Sequence, residues 1–141
     1  MARYAAAHQN RTGPGDDRPT ALQVVEDEGL TGGLRDKVVL ITGCSKGGIG
    51  LQTARGLHAT GCRLFITVRD PAKDDGIIAH VVGSDSGGEN RVTVLPLQLD
   101  SLQSVRECAA EFLRQSKQLH VLILNAGAQR IQTHSVKLSV S

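Results

Sequence analysis

Lys37-Val-Val-Leu-Ile-Thr-Gly-Cys-Ser-Lys-Gly-Gly-Ile-Gly50 decides how this chain folds. Val38 to Ile41 is a short, apolar, largely β-branched run of the kind that fills the middle of a parallel sheet. Gly43, Gly47, Gly48 and Gly50 follow, where the backbone must turn sharply and approach a ligand with no Cβ in the way. A helix opening at Ile49 would point unpaired N–H groups and a positive dipole end over the turn, which favours a phosphate.

Outward from this stretch, apolar runs and helical patterns alternate. Strands are expected over 38–42, 63–68, 92–99 and 120–124. Helices are expected over 49–60, with Ile49, Thr53, Ala54 and Leu57 on one face, over about 74–82, and from 101 to about 117, burying Leu102, Val105, Ala109 and Phe112. Asp100 or Ser101 caps the last of these. Residues 83–90 read as a plain loop, and Pro96, which has no N–H for a ladder, puts the third strand at a sheet edge. Right-handed crossovers between such units give an α/β fold with a Rossmann-like, doubly wound parallel sheet that ends after about four strands. Ligands of such sheets sit at the carboxyl ends of the strands. The glycine turn, Arg69, Asp100 and Asn125 all fall there, so four separate elements deliver polar or glycine residues to one edge.

Ahead of this unit, residues 1–19 are polar and rich in turn formers and read as a disordered leader. Residues 20–36 form a short helical extension, capped by Thr20 and closed by Gly29. The Rossmann-like half-domain occupies 37–128, and an irregular tail occupies 129–141. With 16 Lys and Arg against 14 Asp and Glu, the net charge is +2, and no basic run suggests a nucleic-acid surface. No apolar run approaches the length of a membrane span. Aromatic residues make up 2% of the chain, so the core must come from Val, Leu, Ile and Ala. Cys44, Cys62 and Cys108 are odd in number and far apart, as expected of reduced thiols in a cytoplasmic protein rather than a metal site. Cys44, beside a helix start and Lys46, is read as a packing residue rather than a reactive one. His58, His80 and His120 lack carboxylate or serine partners in the sequence pattern and read as surface or packing residues.

The glycine turn over 42–50, Val68-Arg-Asp70, Leu99-Asp100 and Asn125-Ala-Gly127, in this order, resemble the short-chain dehydrogenase/reductase family over residues 37–127. The family's turn is Thr-Gly-x-x-x-Gly-x-Gly. One extra residue here makes Gly47 and Gly48 compete for its middle glycine, and Gly43, Gly48 and Gly50 are preferred because Gly48-Ile-Gly50 opens the helix. The resemblance implies that Ser45, Lys46 and Ile49 line a nicotinamide dinucleotide, that Asp100 meets the adenine, and that Asn125, Ala126 and Gly127 steady the sheet centre and touch the ribose. Arg69 stands about 20 residues past the glycines, where an acidic residue would accept from the 2′-hydroxyl of NAD. A guanidinium there suits a 2′-phosphate, and Lys46 adds a second positive charge, so NADP(H) is expected over NAD(H).

The implied reaction is hydride transfer between nicotinamide and an alcohol or carbonyl carbon. The family's serine, Tyr-x-x-x-Lys pair and asparagine have no counterpart in this chain, whose one tyrosine is Tyr4. No catalytic residue is therefore assigned. The chain alone is expected to be inactive, as a truncated gene product or a short isoform. The alternative is a non-catalytic nucleotide-binding or interaction fragment. The fourth strand, at the sheet's far edge, is expected to promote self-association.

Overall fold

The computed structural model of the chain describes residues 2–9, 11–13, 15–72, 76–85 and 87–127. The expected tail at 129–141 and the expected start of the second crossover helix at Asp74 lie outside them. Strands β1 (Val38–Ile41), β2 (Arg63–Val68), β3 (Val92–Pro96) and β4 (Val121–Ile123) form one parallel sheet in the order β3-β2-β1-β4. The helices are α1 (Ala21–Asp27), α2 (Ile49–Ala59), α3 (Ile77–Val82) and α4 (Leu102–Gln115). The strand order steps outward from β1 to β2 and β3, then returns to the other side of β1 with β4. That reversal is the switch point of a Rossmann-like doubly wound sheet, beside which ligands bind.

Alternation along the strands sorts the core into two layers. Val39 and Ile41 of β1, with Leu64, Ile66 and Val68 of β2, pack with Leu51, Ala54, Ile77 and Val81 from α2 and α3. Val38, Leu40 and Phe65 pack on the opposite face with Leu95 and with Cys108 and Phe112 of α4. Phe65 and Phe112 meet edge to face with centroids 4.8 Å apart. Both phenylalanines of the chain thus sit in this second layer, while Val and Ile fill most of the first.

Several elements differ from the sequence expectation, each for an identifiable reason. β3 stops at Pro96, since proline cannot donate the next ladder bond, although the Leu97 N–H still reaches the Val68 carbonyl at 2.8 Å. The strand does lie at an edge. α4 buries Cys108 and Phe112 and half-buries Val105, whereas Leu102 is 73% exposed and Ala109 is also exposed. Its buried stripe therefore follows 105, 108 and 112, one position off the expected face. Ser101, not Asp100, caps this helix: its hydroxyl accepts the Ser104 N–H at 3.2 Å. Residues 88–91, expected as plain loop, make a 3₁₀ turn.

His58 departs furthest from expectation. It is 3% exposed, its Nε2 is 3.2 Å from the Gly88 carbonyl oxygen, and it has a carboxylate neighbour after all, Asp85 Oδ2 at 3.6 Å. Asp85 also accepts from Arg91 at 2.6 Å. This group fastens the 83–91 connection to the end of α2. His80 is exposed, and His120 Nδ1 accepts the Val38 N–H at 2.9 Å.

Residues 2–8 include two single 3₁₀ turns, tied to α1 where Arg3 donates to the Asp27 carbonyl at 2.6 Å and the Tyr4 hydroxyl donates to Asp27 Oδ2 at 2.9 Å. α1 itself is capped by Thr20, whose hydroxyl accepts the Gln23 N–H at 3.2 Å. It lies close on α2 because position 56 is glycine: a Cβ there would come within 3.0 Å of the Ala21 Cβ.

All three cysteines are free and buried, which matches the packing role read for Cys44. Burial pushes the Cys44 thiol up to about 12, against a smaller opposing pull from the Thr67 main chain, and it raises Cys62 and Cys108 as well. In the unfolded chain these thiols ionise near 9.0. Between pH 9 and about 12 the unfolded chain therefore loses protons that the folded chain keeps. Stability is accordingly expected to fall as pH rises through that window, by about 1 kcal/mol per pH unit for Cys44. Urea denaturation at pH 8, 9 and 10 measures this. Cys44→Ala is expected to remove the Cys44 share of the slope and leave the shares of Cys62 and Cys108, and an unchanged slope would refute the assignment.

Candidate functional site

The carboxyl ends of all four strands open onto a cleft of about 700 Å³. Nine of the eleven residues singled out from the sequence line it: Gly43, Ser45, Gly48, Ile49, Arg69, Asp100, Asn125, Ala126 and Gly127. The two others do not. Lys46 is exposed, and Gly50 is buried. Thr67, Val68, Leu97 and Leu99 also line the cleft; Val68 and Leu99 stood in the quoted motifs without a role of their own, and Thr67 and Leu97 were not singled out. Their position at strand ends was the available signal, masked by the apolar runs to which they belong.

The glycine turn divides its work among its glycines. Gly43 leaves β1 at φ +76°, and a Cβ there would lie 2.7 Å from the Ala126 Cα. Gly47 takes the second left-handed position, also at φ +76°, while Gly48 at φ −84° is the N-cap of α2. The extra residue thus lets Gly47 make the bend and Gly48 open the helix, so the two do not compete for one role. Gly50 sits where any side chain would strike Asn125 Nδ2 and come within 2.6 Å of the Gly43 carbonyl oxygen. Ile49, expected on one helix face with Thr53, Ala54 and Leu57 and also as a lining residue for the cofactor, is 81% exposed and lines the cleft. The buried face of α2 runs instead through Leu51, Ala54 and His58.

β4 contributes the cross-tie. Asn125 Nδ2 donates to the Thr42 and Gly43 carbonyls, both at 2.9 Å, and the Ala126 N–H donates to the Thr42 hydroxyl at 3.0 Å. The carbonyls leaving β1 are thereby satisfied by a side chain 82 and 83 residues away, which frees the turn from water and fixes its shape.

One side of the cleft is apolar, at Val68, Leu97 and Leu99, and another is glycine backbone at a helix start. Polar groups converge on the rim from three elements: Ser45 from the turn, Arg69 from the end of β2, and Asp100 ahead of α4. Arg69 is exposed and makes no hydrogen bond or ion pair within the described residues. Asp100, relieved of capping by Ser101, stands exposed at the same rim. An apolar slot with an anion-binding backbone at one end and a cation beside it suits an elongated molecule with a flat apolar part and negative charge.

The chain matches the family described as short chain dehydrogenase over residues 37–139. It is 42% identical over 125 residues to the short-chain dehydrogenase/reductase prx1 of Penicillium roqueforti, covering 89% of this chain and 35% of that protein. It is 44% identical over 130 residues to the oxidoreductase calI of Penicillium decumbens, covering 90% and 37% respectively. It is 40% identical over 94 residues to human retinol dehydrogenase 12, covering 67% and 29%. The chain thus spans about a third of the length of these relatives. A parallel sheet with its switch point beside β1, a glycine turn packed against the end of β4, and a family match that runs through both place this chain in the short-chain dehydrogenase/reductase family.

Proposed function

We propose that this chain binds NADP(H) in the cleft, as the cofactor-binding part of an oxidoreductase that moves a hydride between the nicotinamide and an alcohol or carbonyl carbon. The observation that carries the preference for NADP(H) is Arg69: an exposed guanidinium at the end of β2, on the rim of the cleft, with no acidic partner within the described residues. A planar fork of N–H donors suits a phosphate monoester, whereas a ribose hydroxyl calls for an acceptor. Lys46 on the turn contributes a second positive charge from outside the cleft.

The cradle supports a dinucleotide. The close packing at Gly43 and Gly50 leaves no room for side chains and holds the turn that leads into the start of α2, where a diphosphate would find N–H donors. Asp100 and Leu99 at the rim suit an adenine, with the carboxylate accepting from its amino group and the leucine covering its face. Asn125, Ala126 and Gly127 close the opposite end. When bound, the nicotinamide supplies the hydride chemistry, and these residues bind and orient it. Three buried, unpaired thiols support a reducing compartment such as the cytoplasm.

Calorimetric titration with NADPH and NADH tests this reading, with tighter NADPH binding expected. Arg69→Ala is expected to weaken NADPH by about 1–3 kcal/mol and leave NADH nearly unchanged. Equal losses for both would remove Arg69 from the phosphate site. Gly50→Ala is expected to displace Asn125, to cost about 1–3 kcal/mol of stability by overpacking, and to weaken both cofactors together. Unaltered binding by a Gly50→Ala chain would mean that the turn is not held as described.

Self-association belongs to the same reading. β4 ends the sheet among the described residues, with Leu122 50% exposed and Val121 similarly open. An apolar edge with free backbone groups pairs readily with another chain. Sedimentation is expected to show concentration-dependent association that Leu122→Lys reduces. A monomer at all concentrations would contradict it.

A further inference from the structure

Thr67 is the polar residue in the otherwise apolar stretch from Leu64 to Val68 of β2, and it is 1% exposed. It falls on the same strand face as Phe65, where an apolar side chain would pack without cost. Its hydroxyl has a specific partner. The β1–β2 ladder ends at Ile41 paired with Ile66. Beyond it the chain swings away at Gly43, and two successive N–H groups turn back toward β2. The Cys44 N–H reaches the Thr67 carbonyl at 2.9 Å, and the Gly43 N–H reaches Thr67 Oγ1 at 3.2 Å. One residue thus satisfies both donors where the ladder no longer can. Asn125 holds the carbonyl side of the same turn. Two residues further along, the same strand delivers Arg69 to the rim.

We infer that Thr67 is a positioning residue for dinucleotide binding: its hydroxyl sets the first step of the glycine turn, and its place on β2 fixes that turn relative to Arg69. This rests on the cofactor reading above and adds a residue to it. Without the hydroxyl, the Gly43 N–H loses its partner in a part-buried position, and a turn that must present backbone to a ligand is free to relax away from it. The turn serves the diphosphate, which both dinucleotides share, so the loss falls on both alike. Arg69→Ala, in contrast, acts on NADPH alone.

The test uses the full chain and its Thr67→Val and Thr67→Ser variants, with NADPH and NADH titrated calorimetrically and amide exchange at Gly43 followed by NMR. Thr67→Val is expected to weaken both cofactors by about tenfold, in equal proportion, and to speed exchange at Gly43. Thr67→Ser, which restores the hydroxyl, is expected to return both affinities to within about twofold of the parent. Unchanged affinity in Thr67→Val, or Thr67→Ser binding as poorly as Thr67→Val, would overturn the inference while leaving the cofactor reading intact. Failure of the parent chain to bind either dinucleotide would overturn the cofactor reading itself. If Thr67→Val does not fold, exchange at Gly43 in the parent and Thr67→Ser chains decides: protection in both supports the hydroxyl bond, and exchange as fast as an open amide refutes it.

Discussion

Past Ile41 the main chain leaves the regular β1–β2 ladder, and polar groups of the turn at Thr42, Gly43 and Cys44 need partners outside it. Asn125 and Thr67 solve this from opposite sides. The asparagine amide takes the Thr42 and Gly43 carbonyls, and the threonine takes the Gly43 and Cys44 N–H groups. A buried backbone group left without a partner costs about 1–3 kcal/mol, so four such groups in two residues of separation would forbid this turn from sitting inside the domain. The two side chains come from the strands that flank β1, which exist as neighbours only because the sheet has the order β3-β2-β1-β4. The site therefore depends on the topology. The turn cannot keep its shape unless both neighbours of β1 are in place.

The same dependence explains why the glycines cannot be exchanged for other small residues. At Gly43 the obstacle is the backbone of Ala126, and at Gly50 it is the Asn125 amide together with the Gly43 carbonyl. Both contacts are with the end of β4 or with the turn itself. Close packing between turn and fourth strand is what brings the Asn125 amide within reach of two carbonyls, and absent side chains are what permit the packing.

Much of this was legible in the sequence. The β-branched run before the glycines, its repetition at 63–68 and 92–96, and the helical periods between them indicated a parallel sheet, and the convergence of strand ends indicated the site. What was not legible shares one physical feature: it depends on partners far along the chain or on a local choice between equivalent groups. His58 has apolar neighbours in sequence, and its carboxylate partner is Asp85, brought in by the 83–91 connection. Thr67 looks like any β-branched strand residue until Gly43, 24 positions earlier, is placed beside it. Asp100 and Ser101 are both good caps, and the serine captures the role. Ile49 and Leu102 satisfy a helical apolar stripe, yet each stands at the first position of its helix, at the carboxyl edge of the sheet, where the core has already ended. Periodicity identifies a face of a helix, but it does not say how far along that helix the core extends.

The first turns of α2 and α4 both project past the strands, and both carry an apolar residue into solvent, Ile49 at 81% and Leu102 at 73% exposure. Leu99, on the cleft's apolar side, is 58% exposed as well. Isolated apolar residues on a surface need no explanation, but Ile49 and Leu99 line the same cavity as the charged groups. A ligand entering there would cover apolar surface while meeting Arg69 and the turn. Covering such surface lowers the local dielectric around the contacts made at the same time, so a guanidinium–phosphate pair would be stronger than it would be on an open surface. Arg69 by itself is an exposed cation of the kind that contributes little. Its position beside Ile49, Val68 and Leu99 is what would give a charge there selective weight.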